Sequence, residues 1–163
     1  MNFETIEIDK ITIHDSVKTS YDIKLNDKII ELWTPKLYVP FGLENKYNNY
    51  FLNLQLKGHD NYVKLFHYFI ETLESKLIEL LNISKEDFNS QLRISENSCI
   101  LYTKVYEKYK KIITQIKTQN GDYMNIFNLE KECYIKAKII IDKIWLIKGK
   151  YYYKFKLKEI IVY

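Results

Sequence analysis

Apolar and polar residues alternate along most of the chain, and this alternation limits the fold to one built mainly of β-strands. Successive side chains of a strand point to opposite faces, so a period of two marks an element with one buried and one open face. In "FETIEIDKITIHD" (3–15) the parity slips near Asp9 and Lys10, which indicates a bulge in an extended segment. Further strands are predicted within 21–33, 36–39, 49–58, 99–119, 133–148 and 150–163.

Turn residues and prolines divide these strands. Tight turns are predicted at Asn26-Asp27, Asn120-Gly121 and Lys148-Gly149. Pro35 and Pro40 cannot donate ladder hydrogen bonds, so the segment between them is expected to be a short or edge strand. The segment 99–119 is either one long strand or two strands broken near residues 110–111.

One segment, residues 61–82, carries a helical period. Its core-facing stripe consists of Tyr62, Phe66, Phe69, Ile70, Leu73, Leu77, Leu80 and Leu81. Asp60 is the expected N-cap, and Ser84 with Asp87 predicts a second, shorter helix through a capping box. The acidic pairs Glu71/Glu74 and Glu86/Asp87 are expected on solvated helix surfaces.

The order of strands, one central helix and more strands predicts an oligonucleotide/oligosaccharide-binding (OB) barrel. This fold is mainly β, a Greek-key barrel in which an inserted helix covers one end. A generic α+β sandwich is the alternative. The 163 residues fit a single domain, 1–163, with its own core.

Composition and the N-terminal residues indicate where in the cell the protein is expected. No stretch approaches the roughly 20 apolar residues of a membrane-spanning helix, so no membrane partner is expected. The acidic, alternating N-terminus "MNFETIEIDK" is unlike a signal peptide, which predicts a cytosolic rather than a secreted protein. Cys99 and Cys133 lack ligand spacing and are expected to be free, buried thiols.

Positive charge is concentrated in the second part of the chain. Residues 100–163 carry 14 of the 25 basic and 6 of the 21 acidic side chains, a balance of +8, whereas residues 1–99 have a balance of −4. An AT-rich genome explains the preference for lysine over arginine, but it does not explain this uneven distribution. The basic part is therefore a candidate for contact with a polyanion.

No catalytic constellation is recognisable in the sequence. Four glycines, none in a GxxxxGK[ST] or GxGxxG motif, leave no phosphate-cradling loop, and no cofactor or metal is predicted. His14, His59 and His67 lack metal-ligand spacing. The sequence therefore favours a protein that is not an enzyme.

Three strands have an apolar side and a side made of tyrosine and lysine. The outward residues are Tyr102, Lys104, Tyr106 and Lys108 on the first strand, Tyr134, Lys136 and Lys138 on the second, and Tyr152, Lys154, Lys156 and Lys158 on the third. Lysines neutralise phosphates and aromatic rings stack on unpaired bases, so these faces suit single-stranded nucleic acid. The alternative is a solvated sheet face or a subunit interface, as in a structural or protein-interaction module such as a virion or assembly component.

The positions of the two tryptophans are predicted separately, because either could lie in the core or on the surface. Trp145 shares its parity with Ile139, Ile141 and Ile147, which predicts a place in the core. Trp33 is compatible with either the core or the rim of the barrel.

Three stretches resemble OB-fold single-stranded-DNA-binding proteins of large eukaryotic DNA viruses, the relatives of mimivirus and African swine fever virus. They are "LWTPKLYVPFGLE" (32–44), the helix after "NYFLNLQLKG", and 134–163 with its Ile144-Trp145 and Gly149 hairpin. The resemblance implies a protein related in fold to phage replication proteins that coats single-stranded DNA during viral replication, recombination or repair. It implies a place in viral factories of the host cytoplasm.

The first stretch adds Lys36, Tyr38 and Phe41 as candidate contacts at the rim. Phage proteins of this type end in an acidic tail that contacts replication partners, whereas this chain ends "KEIIVY", so recruitment by such a tail is not expected. Single-stranded DNA is the expected partner. RNA as a ligand, a homodimer and replication proteins as further partners are left open.

Overall fold

The computed structural model describes residues 1–17, 19–56, 58 and 60–163. Lys57, at the end of one predicted strand, and His59 lie outside the described residues. The strands are β1 (Ile11–Asp15), β2 (Ser20–Leu25), β3 (Ile30–Trp33), β4 (Leu37–Val39), β5 (Leu43–Lys46), β6 (Asn49–Gln55), β7 (Phe88–Asn89), β8 (Leu92–Ser95), β9 (Ser98–Val105), β10 (Glu107–Lys108), β11 (Lys111–Ile112), β12 (Gln115–Thr118), β13 (Cys133–Ile141), β14 (Lys143–Ile147), β15 (Lys150–Tyr153) and β16 (Phe155–Val162). The helix α1 is Asn61–Leu81.

Five strands close into a barrel in the order β4–β6–β9–β16–β13 and back to β4. The pairing of β9 with β16 is parallel, and the other four pairings are antiparallel. β3 extends the β4 side by pairing with β13. This is the Greek-key connectivity of an OB barrel, so the predicted fold class is confirmed.

A second sheet, in the order β1–β2–β14–β15–β7, is built around the connection between barrel strands β13 and β16. The β14–β15 hairpin turns at Lys148 and Gly149, whose φ values of 50° and 78° match the predicted tight turn. The short β10–β11 hairpin lies between β9 and β12. The segment 99–119 therefore contains four strands, β9 to β12, rather than the one or two predicted; one of its breaks, the turn at 109–110, lies near the predicted position.

The helix α1 forms where its period predicts. The side chain of Asp60 accepts a hydrogen bond from the Tyr62 amide at 2.8 Å, and Asn82 ends the helix in the left-handed region. Its inner face, including Phe66, Ile70 and Leu73, belongs to the same apolar core as the barrel strands. Among the described residues no helix has the length and apolar character needed to span a membrane.

Two predictions of local structure are wrong. Residues 3–10 form two short 3-10 turns, Phe3–Thr5 and Ile8–Lys10, rather than an extended segment. The turns bring the buried ring of Phe3 edge-on against Phe66 of α1, with 5.1 Å between centroids. Burial against the helix outweighs the local preference for a strand.

The predicted second helix after Ser84 is a single 3-10 turn, Lys85–Asp87, followed by β7. Phe88 is buried and stacks on Tyr153 at a centroid distance of 5.3 Å, and the parallel pairing of β7 with β15 holds it there. The segment therefore ends its turn early because Phe88 joins the core.

Glu74 is buried, not solvated as the helix surface pattern predicted. Its carboxylate accepts hydrogen bonds from Ser90 Oγ at 2.6 Å, from the Gln91 amide at 2.9 Å and from the hydroxyl of Tyr153. The charge is tolerated because three donors converge on it. Both cysteines are free, and burial raises the pKa of Cys99 to about 11.

Candidate nucleic-acid interface

The predicted Tyr/Lys strands lie in part on β9, β13 and β16, which are neighbours in the barrel. The predicted closing strand is broken at Lys154, so Tyr152 lies on β15 of the second sheet, and Tyr106 and Lys108 lie beyond the end of β9. β16 pairs with β13 on one side and with β9 on the other. Leu101 and Val105 of β9, Ile135 of β13, and Phe155 and Leu157 of β16 are buried. The tyrosines and lysines that alternate with them therefore point away from the barrel interior, as their spacing predicts.

At the start of β16 the outward side chains line a shallow cleft of about 470 Å³ between the barrel and the β14–β15 hairpin. This β9–β16 cleft is lined by Lys104, Glu107, Trp145, Ile147, Tyr152, Lys154 and Lys156. Lys104 and Lys156 are register partners across the parallel pairing, so the two cations lie side by side. Phe51 is the register partner of Lys104 on its other side.

The three lysines of the cleft differ in their counter-charges. Lys104 Nζ donates to Asn49 Oδ1 at 2.6 Å, and Lys156 Nζ forms an ion pair with Asp142 Oδ2 at 2.6 Å. Among the residues that the structure describes, Lys154 has no carboxylate partner. Burial lowers its pKa, and the neighbouring charges of Lys104 and Lys156 lower it further.

An uncompensated, partly desolvated cation is a site where a phosphate is stabilising. The phosphate would supply the negative charge that the protein does not provide. One carboxylate, that of Glu107, is among the side chains that line the cleft.

Aromatic rings adjoin these cations. Trp145 and Tyr152 are register partners in the β14–β15 hairpin. Lys156 Nζ lies 5.7 Å from the ring centroids of both Tyr106 and Trp145, and Lys154 Nζ lies 5.4 Å from that of Phe51. The cleft therefore joins cations to flat rings, which is the combination that holds unpaired nucleotides.

The prediction that Trp145 lies in the core is wrong. Asp142 separates β13 from β14, and the alternation shifts by one residue across it. Ile144 consequently points inward and is fully buried, whereas Trp145 is half-buried in the cleft. Ile147, which shares the parity of Trp145, is exposed.

In the middle of β16 the lysines are partly neutralised. Glu31 of β3 forms an ion pair with Lys158 at 2.6 Å and with Lys138 at 3.5 Å. The hydrogen bond from Lys158 is the main cause of the lowered pKa of the Glu31 carboxyl. Two cations share one carboxylate here, so their charge is partly compensated, and this part of the face offers a phosphate less than Lys104 and Lys154 do.

A second aromatic group lies at the far end of β16. Tyr134 and Tyr38 are register partners with ring centroids 5.2 Å apart, and Lys36 Nζ lies 4.3 Å from the ring centroid of Tyr163. Lys136 Nζ is 5.9 Å from the ring centroid of Trp33. Since β13 meets β16 near Val162, about six residues beyond Lys156, this group is roughly 20 Å from the cleft.

The remaining candidates are dispersed. Arg93 lies over the ring of Tyr102 at 5.6 Å, and Lys108 lies over Tyr109 at 5.5 Å in the β10–β11 hairpin. Phe41, after β4, is 60% exposed. The Tyr/Lys faces thus form two patches at the two ends of β16, with a partly neutralised region between them.

Sequence reasoning did not single out Phe51 or Glu31, and it misplaced Trp145. Phe51 stands beside Lys104 through strand pairing across about fifty residues, and no local pattern carries that information. The break at Asp142, a polar residue between two apolar runs, was the one signal that could have placed Trp145.

The closed five-stranded barrel, its strand order and the hairpin between its fourth and fifth strands define an OB-fold domain. The cleft lies beside the third barrel strand, β9, and against that hairpin. No family model and no curated protein matches the chain.

Solved structures of similar fold do exist. The chain is similar to the single-stranded DNA-binding protein of bacteriophage Enc34 in complex with ssDNA, with a TM-score of 0.57 and 10% identity over 94% of this chain and 95% of that chain. It is also similar to gp2.5, a single-stranded DNA-binding protein of bacteriophage T7, with a TM-score of 0.54 and 11% identity over 83% of this chain and 86% of that chain. At such identities the likeness establishes the fold.

Proposed function

We propose that this protein binds single-stranded DNA without sequence preference and without catalysing a reaction. Lys104 and Lys154 hold phosphates, and Trp145 and Tyr152 stack on bases. Lys156, which is paired with Asp142, positions the ring of Trp145 beside them. The observation that carries the proposal is Lys154, a partly buried cation with no carboxylate partner among the described residues, beside the aromatic rings of the β9–β16 cleft.

The position of the cleft supports this function. OB barrels bind oligonucleotides on their second and third strands and on the loops that join strands one to two and four to five. In this chain the second and third barrel strands, β6 and β9, supply Phe51 and Lys104, and the connection between the fourth and fifth supplies Trp145 and Tyr152. One of the structurally similar phage proteins was solved with ssDNA bound.

The experiment is a titration with fluorescein-labelled oligo-dT at several salt concentrations, with a duplex of equal length as the control. Affinity for the single strand should fall with rising salt by a log–log slope of about −0.7 for each phosphate neutralised. A Trp33→Phe variant leaves Trp145 as the one tryptophan, and its fluorescence should be quenched on binding. No binding at low salt, or binding no tighter than to the duplex, refutes the proposal.

We also propose that the biological role is the coating of viral DNA intermediates in replication, recombination or repair. The phage origin of the similar structures and the resemblance of residues 32–44 and 134–163 to proteins of large DNA viruses support it. A coating protein protects a long single strand from nuclease at saturating coverage and melts hairpins within it. A protein that binds oligo-dT but does neither has another role.

A second candidate is a structural or protein-interaction module. The ion pairs of Lys138 and Lys158 with Glu31 favour it, because charges that are partly compensated within the protein are what a solvated sheet or a subunit interface carries. Sedimentation analysis of the protein with and without oligo-dT separates the two candidates. Under this second candidate the protein self-associates, and adding oligo-dT does not change its mass distribution.

A further inference from the structure

A second and larger groove, of about 830 Å³, adjoins the β9–β16 cleft. It lies between the turn of the β5–β6 hairpin and the β10–β11 hairpin, and Phe127 contributes to its wall. We call it the hairpin groove. Glu107 lines both the groove and the cleft, and Asn49 of the groove accepts the hydrogen bond of Lys104. The two depressions therefore form a continuous surface.

Exposed aromatic rings are concentrated at this groove. Tyr47, at the turn of β5–β6, is 97% exposed, and Phe127 is 57% exposed. Tyr109, at the tip of β10–β11, is 88% exposed. Tyr47 and Phe127 line the groove, and Tyr109 directly precedes its lining residue Lys110. A single exposed ring needs no explanation, but these rings together form a surface on which flat groups can stack.

Positive charge accompanies the rings. Lys110 and Lys111 line the groove, and Lys108 stands beside them. Within the described part of the chain none of these three lysines pairs with a carboxylate, and the one acidic side chain that lines the groove is Glu107. The groove therefore suits a polyanion that carries flat groups, and it does so without the neutralisation seen around Glu31.

The tip of the β10–β11 hairpin is unusual in its sequence. Tyr109 and Lys110 adopt φ values of 51° and 61°, in the left-handed region that tight hairpin turns require. Such turns favour Asn, Asp and Gly, since other side chains are strained there. Of the consecutive left-handed pairs among the described residues, 26–27, 47–48 and 148–149 include such a residue, and 109–110 does not. The tip thus carries an aromatic ring and a cation although both residues are strained in this turn, and such backbone strain is typical of a functional position.

We infer that the hairpin groove is a second subsite for the same single strand, which passes from the β9–β16 cleft over Asn49 into the groove. There, Tyr47, Tyr109 and Phe127 stack on bases, and Lys110 and Lys111 contact phosphates. This inference rests on the proposed function and adds to it the direction in which the strand leaves the cleft. It predicts that affinity depends on oligonucleotide length, because a short strand fills the cleft alone.

The test compares oligo-dT of about 5 and about 12 nucleotides, lengths within the range that one OB domain covers. The first variant is Tyr109→Asn with Lys110→Gly, which gives the turn its preferred residues. Its Tm should equal or exceed that of the wild type. Its affinity for the longer strand should fall roughly tenfold, the effect of losing one stacked base and one phosphate contact, while its affinity for the shorter strand is unchanged.

The matched control is Lys64→Ala with Tyr68→Ala, which removes one exposed lysine and one exposed tyrosine from the outer face of α1. It should leave both affinities unchanged. A further variant, Lys111→Gln, leaves the turn intact. It should make the salt slope for the longer strand shallower by about 0.7 and leave the slope for the shorter strand as it is.

The outcomes separate this inference from the proposed function. If the wild type binds neither length, the proposed function fails. If the wild type binds but gains nothing from the longer strand, or if the turn variant keeps that gain, the hairpin groove is not a subsite and the cleft stands. An equal loss at both lengths also overturns the inference, since the variant then acts through the cleft.

Discussion

Lys154 directly precedes β16 and Lys158 lies within it, four residues further on, and the structure predicts different consequences for their loss. Lys154 lacks a carboxylate partner among the described residues, whereas Lys158 Nζ is 2.6 Å from Glu31. A Lys154→Met change should therefore remove one phosphate contact. A Lys158→Met change should remove none.

The size of the effect follows from the number of lysines in the cleft. Each phosphate neutralised on a single strand adds about 0.7 to the log–log salt slope, so a rise from about 50 to about 200 mM salt weakens binding by about 2.6-fold per contact. The two cleft lysines that lack a carboxylate partner among the described residues, Lys104 and Lys154, together account for a loss of about 7-fold over this range, and Lys104 alone accounts for about 2.6-fold. Contacts elsewhere along the DNA strand add equally to the salt slopes of the wild type and the variant.

The stability of the variants does not obscure this comparison. The charge of Lys154 is disfavoured by burial and by the charges of Lys104 and Lys156, so Lys154→Met should leave the free energy of unfolding unchanged or raise it. In Lys158→Met, Glu31 keeps its pairing with Lys138. Salt-dependent fluorescence anisotropy with labelled oligo-dT measures the slopes, and urea denaturation checks the folding of both variants.

Two results would refute the reasoning. An unchanged slope in Lys154→Met would mean that phosphate does not bind at this partly buried cation. Equal reductions in both variants would mean that the pairing of Lys158 with Glu31 is too weak to matter and that the face binds as one undivided surface.

Three further predictions concern titration and stability. The pKa of Lys154 is lowered in the free protein, and a bound phosphate favours its charged form, so DNA affinity should fall as the pH rises through that lowered pKa, below the roughly 10.4 of an ordinary lysine. The affinity of Lys154→Arg should not change with pH over this range, because arginine stays charged. An equal decline in both proteins would contradict the assignment. Tyr153→Phe removes one of the donors to buried Glu74 and should lower the free energy of unfolding by about 1–2 kcal/mol in urea denaturation, with unchanged DNA affinity as the control for an intact cleft. Asp60→Ala removes the N-cap of α1 and should cost about 1 kcal/mol by the same measurement, whereas no loss would show that the cap is not needed.

Much of the local structure follows from the sequence because its causes are local. The period of α1 and the N-cap Asp60 predict the helix to within a residue. The alternation around Leu101, Ile135 and Phe155 predicts which side chains enter the core. The turns at 26–27 and 148–149 follow from residues that tolerate positive φ.

Local reasoning fails where distant contacts decide. Phe3 leaves its strand pattern to pack on Phe66, and Phe88 ends the expected second helix to reach Tyr153. The sequence pattern places Glu74 on the helix surface, but Ser90 and Tyr153, which lie on other elements, donate hydrogen bonds to it in the fold. In each case the burial gained through tertiary packing exceeds a propensity of less than about 1 kcal/mol per residue.

The sequence alone determined that this chain forms a mainly β domain with one helix and that its basic second part presents tyrosine and lysine outward. The period of a strand is set by backbone geometry within a few residues, so it can be read directly. The tertiary structure decided which of those lysines pair with a carboxylate of the protein and which can pair with a phosphate. Lys158 meets Glu31 from 127 positions away, and Trp145 reaches Lys156 through a hairpin. Counter-charges and stacking partners depend on strand pairing between distant segments, and that pairing is fixed only when the barrel closes.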